Sequence, residues 1–199
     1  MLSLKDRFDL LEADLLAEPP RFIMSRDLPF AIFRYDPSIA DENEWMIRKD
    51  IDLLATRVGN QLHKRIVHVS LADLFWQSIE ESEGIDAIIE MEKEHGFEVA
   101  EKQVNRYLSD RDFRSLCDLL LERVASLPAD TAVLFLTHAT AFAPGAYRIS
   151  SLLEQLGGRL RIPTVLFYPG TWSGTLNYMD LRTEDQSLGS YRVKIYGRE

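Results

Sequence analysis

The stretch Thr131-Ala-Val-Leu-Phe-Leu-Thr137 decides the fold. Its apolar residues run without a break, so an extended chain here must be buried on both faces. Strands of that kind belong to parallel sheets covered by helices on either side. Pro163-Thr-Val-Leu-Phe-Tyr168 repeats the pattern and ends at Pro169-Gly170. Between the two lie a loop from His138 to Gly145 and a helical pattern from Tyr147 to Leu156, stopped by Gly157-Gly158. Strand, helix and strand in this order make a βαβ unit.

Reading outward from that unit, Ser3 to Ala17 has apolar residues at helical spacing (Leu4, Phe8, Leu11, Leu15) behind an S-x-x-D start at Ser3 and Asp6. Phe30-Ala-Ile-Phe-Arg-Tyr35 reads as a strand closed by Asp36-Pro37. Residues 40–62 read as a helix whose broad face carries Trp45, Ile47, Ile51, Leu54, Val58 and Leu62. Arg65-Ile-Val-His-Val69 is a second strand, and Ser70 with Asp73 starts the next helix at once. Helical patterns follow at 85–95, 98–108 and 111–126, the last assigned a start at Ser109 and Asp112. Tyr191-Arg-Val-Lys-Ile-Tyr196 alternates as an edge strand does. The expected fold is therefore α/β: a single three-layer domain over residues 1–199. Its mainly parallel sheet, of about four to five strands, is flanked by helices and carries a helical insertion in the middle.

The 199 residues carry a net charge of −9 at a sequence pI near 5.0, which is poorly suited to neutralising phosphates. Ten Asp or Glu and a single Lys (Lys93) lie between Asp73 and Glu101. The common reading of such a run is a solvated helix face, and the sharper one is a docking surface for a basic partner. Arg159, Arg161, Arg182, Arg192, Lys194 and Arg198 enrich the C-terminal part, but acidic residues are dispersed among them, so direct nucleic-acid binding is not expected. The one cysteine, Cys117, lies in an apolar helical stretch and reads as a small buried hydrophobe. Charges from Lys5 onward leave no signal-peptide core, and no apolar run reaches the length of a membrane span. The expectation is a cytoplasmic protein that does not enter a membrane.

Motifs for catalysis or cofactor binding are incomplete. There is no Gly-Lys dipeptide for a phosphate loop and no G-x-G-x-x-G. The four histidines His63, His68, His95 and His138 form no H-E-x-x-H. Candidate ligand or partner residues therefore come from the loops after the strands, where α/β proteins bind. Arg34 and Asp36 close the first strand, as a ligand pair or as an ion pair pinning Pro37. His138, with Arg148 at the start of the next helix, reads either as a general base beside an anion-holding cation or, more commonly, as a histidine that hydrogen-bonds its own loop backbone. Gly170, Trp172 and Ser173 lie in Pro169-Gly-Thr-Trp-Ser-Gly-Thr175, which reads as an anion nest or as a turn whose hydroxyls satisfy its own backbone. An exposed Trp172 would anchor an interface. Trp45 and Trp76, in helical patterns, read as core or interface.

Four segments taken together resemble a known family. They are Leu28-Pro-Phe-Ala-Ile-Phe-Arg-Tyr-Asp-Pro37, Val69-Ser-Leu-Ala-Asp-Leu-Phe75, Thr137-His-Ala139 with Pro144-Gly-Ala-Tyr-Arg-Ile-Ser150 and Leu152-Leu-Glu154, and Pro163-Thr-Val-Leu-Phe-Tyr-Pro-Gly-Thr-Trp172. The set resembles the BrxB family, a small component of the bacteriophage exclusion (BREX) defence systems of bacteria and archaea. The resemblance implies a non-catalytic part in phage defence, and the incomplete motifs lead to the expectation of no cofactor and no metal. Its implied partner is PglZ, the alkaline-phosphatase-like protein of these systems, together with possible contacts to other BREX components. The alternative is an enzyme that binds a nucleotide or phosphoester through the strand-end loops around His138 and Arg148.

Overall fold

A computed structural model of the chain describes residues 2–23, 29–143, 147–179 and 193–198. Its helices are α1 (Leu4–Leu15), α2 (Glu44–Leu62), α3 (Leu71–Ser82), α4 (Ile85–His95), α5 (Phe97–Ser109), α6 (Leu116–Val124) and α7 (Ile149–Leu156). Its strands are β1 (Phe30–Tyr35), β2 (Arg65–Ser70), β3 (Ala132–Thr137), β4 (Thr164–Trp172), β5 (Leu176–Tyr178) and β6 (Lys194–Tyr196). Short 3-10 turns occupy Ala40–Glu42 and Ala139–Phe142.

Five strands form a parallel sheet in the order β2-β3-β4-β1-β6, and β5 pairs antiparallel with the end of β4. This order dictates which face each helix covers. From β1 the chain jumps to the far edge at β2, then returns strand by strand through β3 to β4. Right-handed crossovers running in opposite directions must lie on opposite faces. Accordingly α2 joins α1 on one face, and α3 to α7 lie on the other. The period-two alternation of the strands serves both layers. Ala31, Phe33, Val133, Phe135, Val165 and Phe167 pack toward α1 and α2, whereas Ile32, Leu134, Leu136 and Leu166 pack toward α3 to α7. Phe33 and Phe167 sit 5.5 Å apart and Phe8 of α1 lies 4.4 Å from Phe33. Burying each such side chain stabilises the fold by about 1.5–3 kcal/mol.

The α/β fold with a mainly parallel sheet is as expected, with one more strand than the sequence suggested. The capping box at Ser3 and Asp6 is present. Three boundaries differ. Residues 40–62 split into a 3-10 turn and α2, because the Asn43 side chain accepts from the N–H groups of Trp45 and Met46 and restarts the helix. The helix assigned to 111–126 begins at Leu116: Ser115, not Ser109, accepts the Asp118 N–H, so that Leu116, Cys117, Leu119 and Leu120 fall on the buried face. Asp110 instead holds a turn by accepting the Asp112 N–H at 3.0 Å. Finally, β4 runs on through Trp172 and folds back as the β4–β5 hairpin, so the 169–175 segment is strand and hairpin tip rather than a free loop. Gly170 permits this approach, since a Cβ there would overlap the Asn177 carbonyl oxygen.

Candidate functional site

The carboxyl ends of β1, β3 and β4 bring most of the sequence-derived candidates to one edge of the sheet. Arg34, at 5% exposure, belongs to the interior. Its Nε donates to the Gly197 carbonyl at 2.6 Å and its Nη1 to the Gly170 carbonyl at 3.2 Å, tying β6 and β4 to β1. Arg7 of α1 donates to the Arg34 carbonyl at 2.7 Å and pairs with Glu42, both side chains nearly closed to solvent. Glu42 in turn accepts the Asp36 N–H at 2.9 Å. Gly197 has φ +91, and a Cβ there would press within 3.1 Å of both guanidinium groups. The Asp36 carboxylate caps its own turn, accepting from Ser38 N at 3.0 Å and Ser38 Oγ at 2.7 Å. Arg34 thus serves the architecture of a buried polar corner, which Asp36 meets only through its backbone N–H. Two turns further along α1, a separate buried carboxylate, Asp14, accepts from the Tyr196 hydroxyl at 2.6 Å and pairs with Lys194.

His138 takes a left-handed conformation (φ 59) directly after β3, and its Nδ1 lies 2.9 Å from Thr137 Oγ1. Burial, first, and the nearby Arg48 guanidinium, second, lower its pKa, against the smaller opposing pull of Glu44, Asp73 and Asp52. The cation acting on His138 therefore comes from α2. Arg148 is exposed at the N-terminal boundary of α7. Glu44, at the start of α2, also binds the Tyr35 hydroxyl. His68 on edge strand β2 has its pKa lowered by burial, with Asp52 opposing and His138 reinforcing the shift.

The hairpin satisfies itself. Asn177 Nδ2 donates to Ser173 Oγ at 2.7 Å, and Ser173 N donates to the Thr175 carbonyl at 3.1 Å. Trp172 is half-buried against the α3–α7 core, with the Arg198 guanidinium 5.1 Å above its ring, so it does not present a free indole. The exposed indoles are Trp45 at 67% and Trp76 at 53%, neither of which enters the core. Among the C-terminal cations, Arg159 pairs with Asp118 at 2.9 Å and Lys194 with Asp14, while Arg182 and Arg192 lie outside the described residues. Leu28 and Pro144 to Ala146, parts of the family-like segments, are likewise outside them. Among the described residues no group of three or more His, Cys, Asp and Glu is arranged to hold a metal, and no helix is long and apolar enough to cross a membrane.

A second region carries the acidic run that the sequence reads as a solvated face or a docking surface, and it holds a groove that the sequence did not show. Helices α3, α4 and α5 and the turn after Phe142 enclose an open apolar groove of about 180 Å3. Phe75, Ile88, Phe97, Ala100, Val104 and Ala143 line it, and Glu92 and Glu101 complete the wall. The same helices expose Trp76, Ile89, Phe97 and Val99. Large apolar groups left outside a core mark surfaces that another molecule covers. The signal in the sequence is a surplus: Ala100, Val104, Tyr107 and Leu108 already fill the buried stripe of α5, leaving Phe97 and Val99 without a place in it.

A family model described as BREX protein BrxB matches residues 67–194, from within β2 to the start of β6. The matched range includes α3 to α5 and their groove. No curated protein and no solved structure matches the chain.

Proposed function

Since the chain belongs to the BrxB family, and so to the components of BREX phage-defence systems, we propose that it acts there as a non-catalytic adaptor that binds the PglZ-like protein. The observation that carries the adaptor reading is the surface of α3 to α5, where Trp76, Ile89, Phe97 and Val99 are exposed beside an open apolar groove. Interfaces are anchored by aromatic and large aliphatic groups of this kind, seated in or beside a pocket. The strand-end polar groups support the same reading. Arg34, Asp36 and Ser173 each hold backbone or side-chain partners within the chain, as structural residues do.

The test is co-expression with the PglZ-like protein of the same system, followed by size-exclusion chromatography with mass detection. The two chains are expected to co-elute as a complex of defined mass. Separate elution from PglZ and from every other BREX component would sink the adaptor reading.

A further inference from the structure

The groove on α3 to α5 has an electrostatic character that narrows what can fill it. Two of its lining residues are carboxylates, Glu92 and Glu101, and the segment from Asp73 to Glu101 carries ten acidic residues and one lysine, with Lys102 and Arg106 following on α5. Some of that charge is used internally: Glu81 pairs with Arg114 at 2.8 Å, and Glu83 binds the Tyr107 hydroxyl. Among the described residues, no Lys or Arg pairs with Glu90, Glu92, Glu98 or Glu101. The groove therefore joins an apolar floor to unneutralised carboxylates, which repel an acidic partner and attract a basic one. Among the described residues its lining comes from α3 to α5 and the turn at Ala143 and from no strand, so the docking mode that fits is a helix laid in a groove rather than an added strand. Its volume of about 180 Å3 suits a single large apolar anchor, because a void of roughly 150 Å3 admits one benzene-sized group.

We propose that this groove docks a basic amphipathic helix of a partner protein. One apolar side chain enters between Phe75, Ile88, Phe97 and Val104, and flanking Lys or Arg residues meet Glu92 and Glu101. The assignment rests on the adaptor reading only for which protein supplies the helix.

Two probes separate the claims. The first is a labelled synthetic peptide of Leu and Lys at helical spacing, compared by fluorescence anisotropy with its Leu/Glu counterpart and a scrambled Leu/Lys control. The Leu/Lys helix is expected to bind at least roughly tenfold more tightly than either control. The neutral change Phe97→Ser and the double reversal Glu92→Lys/Glu101→Lys should each weaken it by roughly tenfold or more. Equal binding by the controls, or unaltered binding by both variants, overturns the groove assignment. The second probe is co-elution with the PglZ-like protein. A wild-type complex that survives both variants places PglZ elsewhere on the surface and overturns the groove as the adaptor site. Groove-dependent peptide binding without any PglZ complex retains the groove and removes PglZ as its occupant.

Discussion

At the corner where α1 meets β1 and β6, buried charges are tied to one another and to backbone carbonyls. On the shoulder formed by α3, α4 and α5, large apolar side chains stand in solvent beside unpaired carboxylates. The corner holds Arg7, Arg34 and Glu42, none more than 8% exposed. The shoulder has Trp76 and Phe97 more than half exposed. The placement of each residue type inverts what composition alone would assign, and the two inversions have different causes. A buried charge persists because its partners over-determine it. An exposed aromatic has no such reason within the chain, which directs attention to something outside it.

The largest expected effect is at the corner. Arg7→Ala would leave the Glu42 carboxylate buried without its cation and the Arg34 carbonyl without a donor. Breaking a buried pair in this way costs about 3–5 kcal/mol. Chemical denaturation of the purified variant measures it. Replacing both partners, Arg7→Met with Glu42→Leu, should recover a large part of that loss, because no charge is then stranded. A loss below about 1 kcal/mol for Arg7→Ala would place this pair with weak surface pairs and dissolve the contrast between corner and shoulder.

A smaller effect belongs to the strand-end histidine that lies between the two regions. Burial and Arg48 hold the His138 pKa below its ordinary value near 6.5. The folded state then binds fewer protons than the unfolded chain as pH falls through about 6.5. The stabilising contribution is therefore complete above that pH and is lost on acidification toward the lowered folded pKa. His138→Asn keeps a residue that tolerates a left-handed backbone. Thermal melts of this variant between pH 7 and 5 should fall less steeply than the wild type. A slope equal to the wild type would show that the lowered pKa makes no contribution. If the protein is an adaptor without catalysis, the same folded variant should also keep full phage protection.

The layers of the fold were open to sequence reading for a simple physical reason. A strand buried on both faces is expected to be continuously apolar, and β3 and β4 announce themselves in that way, whereas β1 carries Arg34 and is read from the apolar and aromatic run between Pro29 and Pro37. The short strand β5 does not, because Leu176-Asn-Tyr178 pairs only through hairpin geometry that begins inside β4. Two S-x-x-D sequences compete before α6, and the choice of Ser115 depends on which start buries Leu116 and Leu120. The site was less legible still. Arg34 looks like a ligand group until its partners appear, 163 and 136 residues away in sequence, at Gly197 and Gly170. The influence of Arg48 on His138 is equally hidden in the sequence, because the two residues lie far apart along the chain. Phe97 and Ile89 have the look of core residues in any helical pattern. Only packing shows that the core is complete without them.

The smallest expected change in stability is on the shoulder, and it sharpens the comparison most. Phe97 is 55% exposed, so Phe97→Ser removes little burial and strands no polar group. Surface changes of this kind stay within about 0.5 kcal/mol. Its denaturation midpoint should match the wild type while its hold on a basic helix weakens. The opposite pairing is expected of Arg7→Ala at low temperature, where the folded fraction should bind the same helix normally, since no part of the corner lines the groove. A residue that matters to binding and not to stability belongs to an interface. One that matters to stability and not to binding belongs to the scaffold. If Phe97→Ser instead unfolds the protein as Arg7→Ala is expected to, the exposed aromatics are part of the core's own support, and the distinction between the two regions fails.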